Sequence, residues 1–145
     1  MPRESKSNHS HCVCGSNRPT AACCGRYLTG RAHDSARPLT AQALMRSRYA
    51  GFAAQDRTYL AATWHPSTRP QQIRLTTHRE WLGLRIINCQ LGGETDDSGV
   101  VEFIARYRDH KMPETVPGPT EALHEISQFV RENGHWYYLV GRQVG

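Results

Sequence analysis

The stretch Leu82-Gly83-Leu84-Arg85-Ile86-Ile87-Asn88-Cys89-Gln90-Leu91 decides the fold. Its apolar side chains recur at every second residue, the period of a strand with one buried face, but they change parity midway. Leu82, Leu84 and Ile86 share one phase; Ile87, Cys89 and Leu91 share the other. A one-residue slip of this kind predicts a β-bulge or sharp bend inside one long strand. Gly92 to Gly99 is a turn-rich acidic loop, after which Val101, Phe103, Ala105 and Tyr107 alternate again, so the two runs form a hairpin. Cys89, set among apolar strand residues, reads as a small buried hydrophobe.

Downstream, the proline-rich run from Met112 to Pro119 reads as a loop. The next segment carries a conflict. Ala122, Leu123, Ile126, Phe129 and Val130 have helical spacing, yet Asn133-Gly134 is a strong two-residue hairpin signal and Trp136 to Val140 is strongly β-forming. Strand is the consistent choice, because a helix running into Asn-Gly would leave the last strand without its sequential partner. A two-residue loop then pairs Glu132 with His135, Arg131 with Trp136 and Phe129 with Tyr138.

Upstream, Thr40 is a candidate N-cap for a helix whose apolar stripe, Ala41, Leu44, Met45, Tyr49, Phe52 and Ala53, runs to about Gln55. Arg48 interrupts the stripe. Its guanidinium needs either a fixed protein partner or an anionic ligand. Asp56 starts a second short helix through Thr63, and Pro66 ends it; Pro70 to Trp81 reads as a helical turn or an irregular segment. Helices followed by antiparallel strands make an α+β fold, with the helices packed on one face of a curved sheet. Such a cone encloses a pocket.

Apolar residues divide unevenly over the 145 positions. Before residue 41, Leu, Ile, Val and Phe are represented only by Val13, Leu28 and Leu39, so the core comes from the remainder of the chain. The formal charge of +5 also concentrates early: residues 1–40 hold six Lys/Arg against Glu4 and Asp34, a net +4. No apolar run is long enough to span a bilayer, and the start Met-Pro-Arg-Glu-Ser-Lys has no signal-peptide h-region, so a cytoplasmic location is expected and a membrane partner is not.

In a reducing compartment, four cysteines within thirteen residues point to metal rather than disulfides. Cys12 and Cys14, one residue apart, and the adjacent Cys23 and Cys24 supply the four sulfurs of a closed tetrahedral zinc site. One structural zinc ion is the expected cofactor. His9 and His11 are read as solvated. Four thiolates around Zn²⁺ carry a net −2, which lowers the +4 of the first forty residues to +2 and weakens an electrostatic nucleic-acid reading.

These spacings, with Gly15-Ser16 and Cys24-Gly25 beside the ligands, resemble the SEC-C motif of the bacterial preprotein translocase ATPase, which places His where this chain has Cys24. Ala43-Leu44-Met45-Arg46-Ser47-Arg48-Tyr49, Ala62-Thr63-Trp64-His65-Pro66-Ser67-Thr68-Arg69-Pro70 and Trp136-Tyr137-Tyr138 are similar to the YchJ-like family. The resemblance implies a SEC-C zinc motif over residues 11–33 and a nuclear-transport-factor-2-like domain over 40–145, with strand rather than helix before Asn133. Residues 1–10 are expected to be disordered and 34–39 to be a linker.

Two functions compete on this reading. In the first, the chain is a zinc-binding adaptor or docking protein whose α+β domain binds a ligand or a protein. The resemblance to SEC-C, a partner-docking element in the translocase, favours a protein partner at the zinc module. In the second, the pocket serves a small-molecule hydrolase, dehydratase or isomerase, with His65 as candidate acid–base catalyst. The pocket candidates for either are Arg48, Tyr49, His65, Arg69, Trp136 and Tyr138, and a small anionic ligand is the expected occupant. Trp64 and Trp136 also read as core aromatics. Nucleic-acid binding by the basic N-terminal module is a third, less favoured reading, since Tyr27 is the one aromatic among its arginines.

Overall fold

The structure, a computed structural model, describes residues 11–28, 37–111 and 116–145. The expected disorder of residues 1–10 and most of the expected linker lie outside these residues. Two helices, α1 (Ala41–Ala53) and α2 (Arg57–Ala62), precede four strands: β1 (Arg79–Leu91), β2 (Ser98–Lys111), β3 (Val116–Glu132) and β4 (His135–Gln143). The strands form one antiparallel sheet in the order β1-β2-β3-β4.

Each helix is started by the side chain that the sequence offers. Thr40 accepts a hydrogen bond from the Ala43 amide at 3.0 Å, and Asp56 accepts one from the Tyr59 amide at 3.1 Å. The start of α1 is tied to the sheet by the Ala41 amide, which donates to the Gly92 carbonyl at 2.9 Å. A side chain at Gly92 would meet the Ala41 methyl at 2.8 Å, and its φ of +82° is itself a glycine conformation. The segment from Pro70 to the start of β1 is irregular rather than helical.

The parity change in β1 is a bulge: Ile86 pairs with Phe103 and Asn88 with Glu102, which leaves Ile87 unpaired. A second bulge leaves Leu82 unpaired between Trp81 and Gly83. The two slips bring Trp81, Leu84, Ile86 and Cys89 opposite Tyr107, Ala105, Phe103 and Val101, the concave face of the sheet. Cys89 is nevertheless exposed, contrary to the sequence reading, because β1 is an edge strand and, among the described residues, only Gln42 bonds to the sulfur, at 3.4 Å.

Asn133 and Gly134, with φ of 53° and 81°, form the turn between β3 and β4, and the pairs Glu132–His135, Arg131–Trp136 and Phe129–Tyr138 follow. The run before it is strand throughout. Part of the expected proline-rich loop is strand as well, since β3 begins at Val116. Pro117 pairs only with β2, because β4 reaches no further along β3 than Glu125, so the missing proline N–H costs no ladder bond on the open side. Residues 63–65 extend the sheet beyond β4: the Tyr138 amide donates to the Thr63 carbonyl and the His65 amide to the Tyr138 carbonyl, both at 2.8 Å.

Candidate metal centre and cavity

The four cysteines sit on two loops that short backbone bonds hold together. The Cys12 amide donates to the Arg18 carbonyl at 2.7 Å, and the Gly15 amide to the Cys12 carbonyl at 3.2 Å. Cys23 and Cys24 lie where two short 3-10 turns meet. All four sulfurs are buried and lie within 4.8 Å of one another. The Cys14–Cys23 and Cys23–Cys24 separations of 3.6 and 3.9 Å are far beyond a disulfide bond of about 2.05 Å, and they suit thiolates gathered around one ion. Ser16 places its hydroxyl 3.1 Å from the Cys23 sulfur. Hydrogen bonding from Cys24 and Ser16 brings the Cys14 thiol down to about 4, whereas Cys24, which donates to Cys14 and is desolvated, is pushed up. His11 is exposed and stands outside the cluster.

This cluster is not a separate bead. Its cysteines share one apolar core with Leu44, Met45, Val101 and Phe129, and Arg46 on α1 donates to the Cys14 carbonyl at 2.6 Å. The cysteine loops are therefore fastened to α1 by packing as well as by a charged hydrogen bond.

On the other side of α1 a cavity of about 210 Å³ opens between the helix and the concave face of the sheet. Met45, Arg48, Tyr49 and Phe52 come from α1, and the sheet contributes Trp81, Phe103, Leu123, Glu125, Ser127 and Tyr138. The wall is mostly aromatic and aliphatic. Arg48 is 3% exposed. Its Nη1 donates to the Leu60 carbonyl at 2.9 Å and to the Thr63 hydroxyl at 2.8 Å, closing the end of α2. Its guanidinium lies over two rings, 5.0 Å from the Trp64 centroid and 4.7 Å from that of Tyr138. Among the described residues, Nε and Nη2 have no acceptor. Burial lowers the group to about 10, still charged at neutral pH.

Of the six pocket candidates, Arg48, Tyr49 and Tyr138 line this cavity and the other three do not. His65 is on the outside: Nδ1 receives the Ser67 amide at 3.1 Å, and Nε2 lies 3.0 Å from Glu132. It is turned outward because its amide is spent on the Tyr138 carbonyl at the edge of the sheet. Arg69 donates to the Ala61 carbonyl at 3.1 Å and lines a separate open groove. Trp136 is a core residue, 3% exposed, with its indole N–H donating to the Leu39 carbonyl. Trp64, read as core, lines the cavity instead, and its Nε1 is buried without a partner.

The sequence reading missed Glu125. Its Oε2 accepts from Ser127 at 2.9 Å and from Tyr138 at 3.4 Å, and the carboxylate lies against Gly141, where any side chain would collide with it. The signal was available. Phe129 faces inward opposite Tyr138, so alternation carries Ser127, Glu125 and Leu123 onto the same face. Arg79, also on the wall, is neutralised by a two-pronged pair with Asp109 at 2.7 and 3.0 Å.

Two helices over a four-stranded curved sheet, with a buried four-cysteine module on the first helix, define an NTF2-like domain bearing a SEC-C-type cluster. The family model for the YchJ middle NTF2-like domain matches residues 40–141. A UPF0225 protein of Chromobacterium violaceum is 45% identical over 142 residues, covering 96% of this chain and 97% of its own length. Another, from Pectobacterium carotovorum, is 41% identical over 138 residues, 92% of this chain and 83% of its own. The solution structure of a SEC-C motif containing protein from Rhodopseudomonas palustris superposes with a TM-score of 0.76 at 34% identity, over 93% of this chain and 99% of that one. A SEC-C motif containing protein from Psychrobacter arcticus shares the fold, with a TM-score of 0.67 at 23% identity over 90% and 80% of the two chains. The chain belongs to the YchJ-like UPF0225 family.

Proposed function

We propose that this chain is a zinc-stabilised binding protein whose α+β cavity receives a small ligand with an acceptor group for Arg48. The observation that carries the reading is the pair of unspent donors, Nε and Nη2, on a buried guanidinium lining an apolar-walled cavity. A buried charge with free donors is costly unless something accepts from them. Small carboxylates are the simplest such ligands. They should raise the melting temperature of the wild type and of His65→Ala, and not that of Arg48→Met; equal stabilisation of all three proteins would overturn the reading.

Zinc is the ion that fits the cluster. Four Zn–S bonds of about 2.3 Å make a tetrahedron with edges of about 3.8 Å, and the sulfurs, 3.6 and 3.9 Å apart in two pairs and all within 4.8 Å, are gathered on that scale. A closed four-sulfur shell has no open position, so the ion would hold the two loops rather than activate water. Reduced thiolates suit a cytoplasmic location. Beside the cluster, Arg18, Arg26 and Arg46 line a shallow groove that an acidic protein surface would match, which supports docking of a protein partner there. Nucleic acid fits it less well, because the ring of Tyr27 is occupied by Arg26, 4.7 Å from its centroid. The enzymatic alternative rested on His65, which is bonded away from the cavity. Of the groups that remain, Tyr138 is pushed up to about 12 by burial and serves as a donor rather than a base.

A further inference from the structure

The cavity presents both signs of hydrogen-bonding demand. On one side are the two unspent donors of Arg48, whose guanidinium lies 5.0 Å from the centroid of the Trp64 ring. On the other is Glu125, whose Oε2 takes the Ser127 and Tyr138 hydroxyls while Oε1 has no partner among the described residues. Tyr138 stands between them, stacked under Arg48 and bonded to Glu125, so the opposite charges share one wall without forming an ion pair. Arg79 does not compensate Glu125, because its own charge is committed to Asp109. A simple anion at Arg48 would feel the Glu125 carboxylate, and a simple cation at Glu125 would feel Arg48. A molecule carrying both charges satisfies each. Around them the wall is mostly apolar, with Phe103, Leu123, Phe52 and Trp81, although Arg74 and Thr76 also reach it, and the cavity volume is about 210 Å³.

Resting on the cavity reading above, we infer that the occupant is a small zwitterion of the α-amino-acid class with an apolar side chain, its carboxylate received by Arg48 and its ammonium by Glu125. The apolar side chain packs on the aromatic wall, where burial supplies the favourable free energy that the two charged ends, already solvated in water, do not. Gly141 is part of the device, because it gives the Glu125 carboxylate the room in which to sit.

Three probes that differ by one charged group each test this by titration calorimetry: leucine, 4-methylpentanoate, which lacks the ammonium, and 3-methylbutylamine, which lacks the carboxylate. Leucine should bind at least tenfold tighter than either relative. Glu125→Gln, which keeps shape and hydrogen-bond reach, should abolish the advantage of leucine over 4-methylpentanoate. Arg48→Lys should weaken leucine and 4-methylpentanoate together and leave 3-methylbutylamine unchanged. If 4-methylpentanoate binds as tightly as leucine, or if Glu125→Gln leaves the advantage intact, the zwitterion assignment is overturned and the cavity remains a carboxylate site. If none of the three binds, the assignment and the cavity reading both fall.

Discussion

Arg48 lays its guanidinium on the ring of Tyr138, 4.7 Å from the centroid, and the Tyr138 hydroxyl donates to Glu125 at 3.4 Å. One phenol thus faces a buried cation with its π surface and a carboxylate with its proton. The chain keeps a charge in its interior without a salt bridge, using neutral acceptors and aromatic faces. Arg48→Met should cost about 2 to 3 kcal/mol in urea unfolding, since it removes hydrogen bonds from a charged donor and leaves the Leu60 carbonyl with only the long bond from the Thr63 hydroxyl at 3.4 Å. A loss below about 0.5 kcal/mol would show that the capping of α2 contributes nothing measurable.

Titration at high pH separates Arg48 from the ring beneath it. Tyr138 is raised from 10.0 to about 12, chiefly by burial and then by the charge of Glu125. The folded chain therefore holds a proton that the unfolded chain releases, and this stability, complete below pH 10, is lost as pH rises through 12. Arg48 has the opposite sign. It is lowered from 12.5 to about 10 by burial, so the unfolded chain binds more protons and this group favours folding increasingly as pH rises from 10 towards 12.5. Arg48→Met removes the rising contribution and also the positive charge that holds Tyr138 down, and both changes make its stability fall more steeply over that range than the wild type's. Urea midpoints for both proteins at successive pH values read the difference, and equal slopes would contradict it.

The cysteine cluster and the domain should not melt independently. Cys12, Cys14, Cys23 and Cys24 share one core with Leu44 and Met45, and Arg46 bridges to the Cys14 carbonyl. Protein purified without chelator should carry about one zinc per chain. Chelation should unfold residues 11–28 and also lower the melting temperature of the remainder, because it uncovers apolar surface on α1. Arg46→Ala should weaken that coupling. An unchanged transition of the remainder after chelation would mean that the shared core contributes nothing to it.

Much of this architecture could be read from residue order, and the exceptions have physical reasons. The Asn133-Gly134 turn was legible because two consecutive positive φ values select those residues, and register then follows by counting outward. The parity slip at Ile87 was legible because the apolar alternation changes phase there, and the bulge at Leu82 was hidden because Gly83 carries no side chain to mark a phase. The four cysteines announced themselves by spacing. His65 misled because general acid–base aptitude is a property of the residue, whereas its direction is set by a backbone bond to β4, which no local pattern reports. Glu125 was visible only once the strand phase had been extended back from Phe129.

The same turn gives a clean stability test. Asn133 adopts a φ of 53°, tolerated by Asn and unfavourable for a β-branched side chain. Asn133→Val should therefore cost about 1 to 2 kcal/mol. Asn133→Gly should be close to neutral. Comparable losses in both variants would show that a side-chain contact, rather than backbone conformation, is what Asn133 supplies.

Glu125 and Gly141 should be coupled more strongly than any other pair around the cavity. A Cβ at Gly141 would run into the Glu125 carboxylate and approach the Ser127 hydroxyl at 3.0 Å, so Gly141→Ala cannot be accommodated without displacing the carboxylate. Gly141 lies in β4 with no positive φ, which means the cost is steric rather than conformational. Overpacking of this kind costs about 1 to 3 kcal/mol. On a Glu125→Ala background the colliding group is gone, and the penalty of Gly141→Ala should fall to a few tenths of a kcal/mol or reverse, since alanine is the better strand residue. A double-mutant cycle in urea measures the difference. Additive losses would mean that Gly141 is required for something other than the seat of Glu125.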